Sequence, residues 1–98
     1  MSDQGCFITL LTIELGIPYA QSLKEKRSAV LGLKDRLRSK FNASVAEVAF
    51  QDKWQRAVLA VSMVGGDKRK LESDADRLRQ LCEEDANVQI TAINQEWL

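Results

Sequence analysis

The chain has 98 residues, with 14 Lys+Arg against 14 Asp+Glu, no histidine, two cysteines and one proline. That length suits one domain able to bury about two-thirds of its chain surface without a staple, and 45% apolar with 29% charged residues is a globular balance rather than a disordered one. The missing histidine excludes serine and cysteine triads and phosphohistidine chemistry and removes the commonest zinc and iron ligand, while Cys6 and Cys82 lack the Cys-x-x-Cys spacing of a redox pair or metal knuckle. No catalytic residue, cofactor or metal is expected. The longest apolar stretch, Cys6 to Ile17, is interrupted by Thr9, Thr12, Glu14 and Gly16, so no membrane span is expected. Met1-Ser2-Asp3-Gln4 has no basic export region, which makes the cytoplasm the expected location.

A short N-terminal segment, residues 1–5, carries no pattern and is expected to be disordered. Residues 6–17 alternate as a strand, with Phe7, Leu11, Ile13, Leu15 and Ile17 on the core face and Ile8, Leu10, Thr12 and Glu14 on the other. Pro18 ends it. Ser22 stands three residues before Glu25, a capping box that starts a helix at Leu23. Val30, Leu33, Leu37 and Phe41 continue its apolar stripe to about Asn42. Ala43–Phe50 and Arg56–Val64 read as an antiparallel hairpin, the second strand turning Ala57, Leu59, Val61 and Met63 inward and Val58, Ala60 and Val64 outward. Gly65-Gly66 breaks the pattern and Asp67 caps a second helix, whose stripe is Leu71, Ala75, Leu78 and Cys82. That helix fades in Glu83-Glu84-Asp85, and a last strand runs from Asn87 to about Glu96.

The order β-α-β-β-α-β predicts an α+β, ferredoxin-like sandwich spanning the chain as one domain: a four-stranded antiparallel sheet with both helices on one face. Chain direction then brings Ser22, Lys24, Glu25 and Arg27 to the same end as Asp52, Trp54, Gln55 and Arg56. Trp54 there either stacks on a ligand beside the cations or packs inward as a lid on the core. The other end gathers Arg36, Arg38 and Lys40 from helix one and Lys68, Arg69 and Lys70 from helix two. Residues 23–40 hold seven cations and two acids, a local excess of five positive charges in a neutral chain. Basic residues suit a helix C-terminus on dipole grounds alone, but Lys68–Lys70 open a helix and oppose its dipole, an arrangement suited to a phosphate ligand. Asp67 would occupy the free N–H groups of helix two, which argues against a nucleotide nest at Gly65-Gly66.

The outward face of the sheet is a third candidate. Ile8, Leu10, Val58 and Val64 form an aliphatic patch that a lone copy leaves wet, and without aromatic residues on the central strands it suits a protein contact better than base stacking. Acylphosphatases share this fold and bind phosphate through an arginine before helix one, but Pro18–Ser22 holds none.

Several of these stretches together resemble the YlxP-like proteins, a bacterial family catalogued as a domain of unknown function. The resemblance rests on Ile17-Pro18, the run Ser22-Leu23-Lys24-Glu25-Lys26-Arg27, Asp35-Arg36-Leu37-Arg38, Phe41-Asn42, Ser44 to Val48, and Asp52 with Trp54-Gln55-Arg56. It implies a ferredoxin-like domain and, from the genes that commonly flank the family, an association with RNA or the ribosome. It implies no catalytic residues. Gly16 and the final Gln95-Glu96-Trp97-Leu98 depart from the usual pattern and leave the register of the last strand open. The functional expectation is a non-enzymatic binding protein that engages RNA or a ribosomal subunit through Arg36, Arg38, Lys40 and Lys68–Lys70. The alternative is a homodimer or protein-interaction scaffold using the open sheet face, without nucleic acid.

Overall fold

A computed structural model describes residues 5–98 as β1 (Phe7–Gly16), α1 (Leu23–Lys40), β2 (Ala43–Ala49), β3 (Arg56–Gly65), α2 (Lys68–Glu84) and β4 (Gln89–Trp97). The strands form one antiparallel sheet in the order β2-β3-β1-β4, so the order of elements and the ferredoxin-like arrangement are those the sequence predicts. Residues 1–4 of the segment expected to be disordered lie outside the described residues. Gly5 closes a turn at φ 72°, a conformation that glycine reaches without steric cost.

The central pair β1–β3 keeps an unbroken register from Phe7 opposite Gly65 to Gly16 opposite Arg56. Alternation sends Leu11, Ile13 and Leu15 of β1 and Leu59, Val61 and Met63 of β3 to one face, where Val30, Leu33 and Leu37 of α1 and Leu71, Leu78 and Cys82 of α2 bury them. Thr9 interrupts the inward pattern yet is fully buried: its hydroxyl donates to the Glu96 carbonyl at 3.0 Å and accepts from Gln95 Nε2 at 3.0 Å. These bonds help fix the register of β4, with Thr9 opposite Trp97 and a bulge at Thr91 of β4 where it passes Glu14 and Leu15 of β1. The side chain of Thr91, at that bulge, donates to the Glu14 carbonyl at 3.2 Å. β4 begins at Gln89 rather than Asn87, because the Asp85 carboxylate accepts from the Asn87 N–H at 2.8 Å and holds 85–87 in a turn.

Helix α1 starts where the capping box places it. Ser22 Oγ accepts from the Glu25 N–H at 3.1 Å, while Glu25 Oε1 accepts from the N–H of Gln21, one residue earlier than the reciprocal bond of the usual box. The helix ends at Lys40, two residues before the expected Asn42, because Phe41 turns extended and buries its ring while its N–H still reaches the Leu37 carbonyl. Strand β2 is likewise cut at Ala49: a bulge lies between Glu47 and Ala49, and Phe50 adopts a left-handed φ of 62°.

Candidate nucleic-acid interface

The hairpin end is organised by hydrogen bonds inside the protein. Gln55 Nε2 donates to the carbonyls of Ala20 at 3.0 Å and Pro18 at 3.4 Å, and the Ile17 N–H returns a bond to the Gln55 carbonyl at 3.0 Å. The β1–α1 loop and the β2–β3 hairpin are thereby tied together, as the chain direction predicts. Arg56 stacks its guanidinium over the Phe50 ring at 4.1 Å and pairs with Glu14 at 3.7 Å. Ser22, Glu25, Gln55 and Arg56 are therefore engaged within the fold, whereas Lys24, Arg27 and Asp52 face solvent. Trp54 is 52% exposed and stays out of the core cluster, so it does not lid the core.

The residue that sequence reasoning missed at this end is Lys26. It counts among the seven cations of α1, yet its side chain is 0% exposed: the ammonium bonds Glu47 Oε2 at 2.6 Å and the Phe50 carbonyl at 2.8 Å. Glu47, which reads as a solvated strand residue, is 16% exposed and is the internal partner. The signal was present in the periodicity. Lys26 occupies the stripe of Leu23, Val30, Leu33 and Leu37, and Glu47 alternates in phase with buried Val45. A charged side chain at a core position needs a partner, and the two positions supply each other.

The other end is more heavily compensated than charge counting implies. The Arg36 guanidinium donates to the Asp85 carboxylate, which is 3% exposed, so Arg36 joins α1 to the end of α2 instead of standing with Lys40 as an open cation. The acidic run at the end of α2 thus reaches the basic part of α1: Glu84 lines a groove of about 370 Å³ with Arg36, Lys40, Phe41, Arg77 and Leu81. Arg38 donates to the Val45 carbonyl of edge strand β2 at 2.7 Å and lies 3.9 Å from Asp35. At the start of α2 the Asp67 carboxylate accepts from the N–H groups of Arg69 and Lys70, at 3.0 and 3.3 Å, which fills the helix terminus as expected. Lys70 pairs with Asp74 at 3.1 Å and Lys68 stands 4.9 Å over the Trp97 ring. The chain just beyond α1 reaches the start of α2, since Asn42 lines one groove with Asp67 and Lys70, but Arg36 and Lys40 themselves line the groove with Arg77, Leu81 and Glu84 of the later part of α2.

What remains is a solvent-facing surface along α1. Lys24, Arg27, Arg38 and Lys40 are exposed and Lys34 half-buried, five cations besides the paired Arg36, against Glu25 and Asp35 on the same helix.

A model of a family described only as a protein of unknown function, DUF503, matches residues 8–95. The chain belongs to the DUF503 family. The uncharacterized protein YlxP of Bacillus subtilis is 31% identical over 78 residues, which cover 80% of this chain and 85% of that protein. The likeness read from the Ser22–Arg27 run and the Trp54-Gln55-Arg56 hairpin is thus borne out at the level of the family. Among solved structures, the de novo designed protein Foldit4 superposes with a TM-score of 0.52 over 91% of this chain and 96% of its own, at 14% identity, a likeness of fold alone. Within the DUF503 chain, no described helix is long and apolar enough to cross a membrane.

On the outward sheet face, Ile8 and Leu10 are partly exposed and Val64 is 52% exposed, but Val58 is only 8% exposed and leaves the proposed patch. Its cross-strand neighbour is Glu14 and the next outward residue of its own strand is Arg56, so it lies beneath that ion pair, beside the bulge of β2.

Proposed function

We propose that this protein is a non-enzymatic RNA-binding protein whose contact surface is the solvent face of α1 with the adjoining start of α2, and that its target is structured RNA or a ribonucleoprotein such as a ribosomal subunit. The observation that carries this reading is the concentration of five cations, Lys24, Arg27, Lys34, Arg38 and Lys40, on the outside of one helix of a neutral chain, besides the internally paired Arg36. Lys24, Arg27, Lys34 and Arg38 stand three, seven and four residues apart on α1, which at ~1.5 Å of rise per residue separates them by about 4.5–10.5 Å, spacings that let them meet different phosphates. The contact belongs on the helix side, because the outward residues of β1 and β3, apart from the paired Glu14 and Arg56, are aliphatic, small or hydroxylated, and none offers a ring on which a base could stack. Lys24, Arg27, Lys34 and Lys40 join Arg38, Lys68 and Arg69 as the contacting residues. Arg36 and Lys70 act mainly through their internal carboxylates.

Electrophoretic shifts of a structured RNA and of isolated ribosomal subunits, run at several salt concentrations, test the proposal. Binding should weaken steeply with salt, and charge reversal at Arg38 and Arg69 should weaken it further. Binding that is insensitive to both would overturn it.

A further inference from the structure

We propose that the outward face of the sheet is a homodimer interface, formed by two copies packed sheet to sheet. The inference is independent of the RNA reading, because it concerns the opposite side of the domain.

The first ground is the composition of the face. In a chain that is 29% charged, the register gives the outward rows of β3, β1 and β4 as Val64–Ile8, Ser62–Leu10–Glu96, Ala60–Thr12–Asn94 and Val58–Glu14–Ala92. Edge strand β2 adds Ser44 and Ala46 opposite Ser62 and Ala60. Leu98 extends the first row, since its N–H bonds the Ile8 carbonyl at 2.9 Å and alternation turns it outward from Trp97. Val64, Ile8 and Leu98 thus form an aliphatic row across three strands, with Leu10 behind it. The charges on the face are few: Glu14 and Arg56 neutralise each other at one end, and Glu96 sits on edge strand β4.

The second ground is what such a face can accept. A second copy related by a two-fold axis opposes every residue with the same neutral, aliphatic and small set, so the centre meets no like charge and leaves no long side chain unpaired. The helix side is excluded as a self-contact by its cations. Four strands about 4.8 Å apart and roughly eight residues long at about 3.3 Å each present a face on the order of 500 Å² in projection. Two copies therefore remove about 1,000 Å² or more from water, which reaches the lower bound for a specific protein interface. Sheets stacked in this way lie about 10 Å apart, a spacing that Leu10, Ile8 and Val64 can fill from both sides.

Analytical ultracentrifugation of the full chain, from low micromolar to several hundred micromolar, gives the test, with Leu10→Glu and Val64→Lys as interface variants and Leu31→Glu, an exposed leucine of α1, as the control. The wild type should sediment at twice the 11.0 kDa chain mass. Both interface variants should retain the wild-type circular dichroism and raise the dimer dissociation constant by about tenfold or more, as expected for a charge placed in a desolvated contact. The control should leave it unchanged. If Leu10→Glu fails to fold, Val64→Lys carries the test, since Val64 is already half exposed. A wild type that stays monomeric throughout, folded interface variants that still dimerise, or a control that dissociates would each overturn the assignment.

Discussion

Replacing Glu47 by alanine removes the carboxylate that neutralises Lys26 and leaves an ammonium at 0% exposure with one carbonyl, that of Phe50, for company. Breaking a buried ion pair from one side costs about 3–5 kcal/mol, because the surviving charge is stranded away from water. Lys26→Met is the milder change. It leaves the charge on Glu47, which at 16% exposure reaches solvent, and its cost should be about 1–3 kcal/mol, chiefly the lost charge-assisted bonds. The double variant strands nothing and should be no less stable than Glu47→Ala, giving a coupling energy of about 2 kcal/mol or more. Against a total stability of about 5–15 kcal/mol, Glu47→Ala removes a large share. At roughly 4–8 °C per kcal/mol for a domain of this size, its melting temperature should fall by about 15–30 °C. Urea unfolding followed by circular dichroism measures all three variants. Singles whose effects simply add, or a Lys26→Met protein less stable than Glu47→Ala, would refute the account of this pair.

Two smaller perturbations follow from the same geometry. Gly32→Ala should stabilise the protein by about 0.5–1 kcal/mol in the same urea assay, because a Cβ there meets nothing within 4 Å and alanine loses less backbone freedom on folding. Cys82 is fully buried, and that burial pushes its thiol from 9.0 up to about 11, with Arg36 pulling the other way and Glu83 adding to the rise. At pH 8 a thiol reagent should therefore label half-buried Cys6 first and Cys82 only after unfolding. The linked stability is fully present below pH 9 and is lost as pH rises toward 11, so wild type should lose more stability over that window than Cys82→Ala does.

Much of the fold could be read from local patterns. The alternation of β1 and β3, the Ser22 and Asp67 caps and the apolar stripes of both helices each depend on neighbours a few residues away, and the structure retains all of them. What escaped depends on distant partners. Arg36 and Asp85 are 49 residues apart, so nothing in either neighbourhood marks them as a pair. Lys26 and Glu47 were legible only by trusting periodicity over the habit of placing charge outside. Val58 was assigned correctly to the outward face, but its burial comes from a bulge and an ion pair that alternation cannot foresee. At the hairpin the family-motif residues divide in a way no spacing reveals: Ser22, Glu25, Gln55 and Arg56 hold the loops together, and Lys24, Arg27, Asp52 and Trp54 are left facing solvent.

The salt dependence of RNA binding tests the central claim most directly. For about five phosphate contacts the logarithm of the binding constant should fall with the logarithm of salt concentration with a slope of roughly −3.5 to −4.5. Neutralising Arg27 and Lys34 to glutamine should lower that slope by about two, one for each lost phosphate contact, at unchanged fold stability. A slope near zero, or one that the double substitution leaves unaltered, would contradict the assignment of α1 as the RNA-contacting surface.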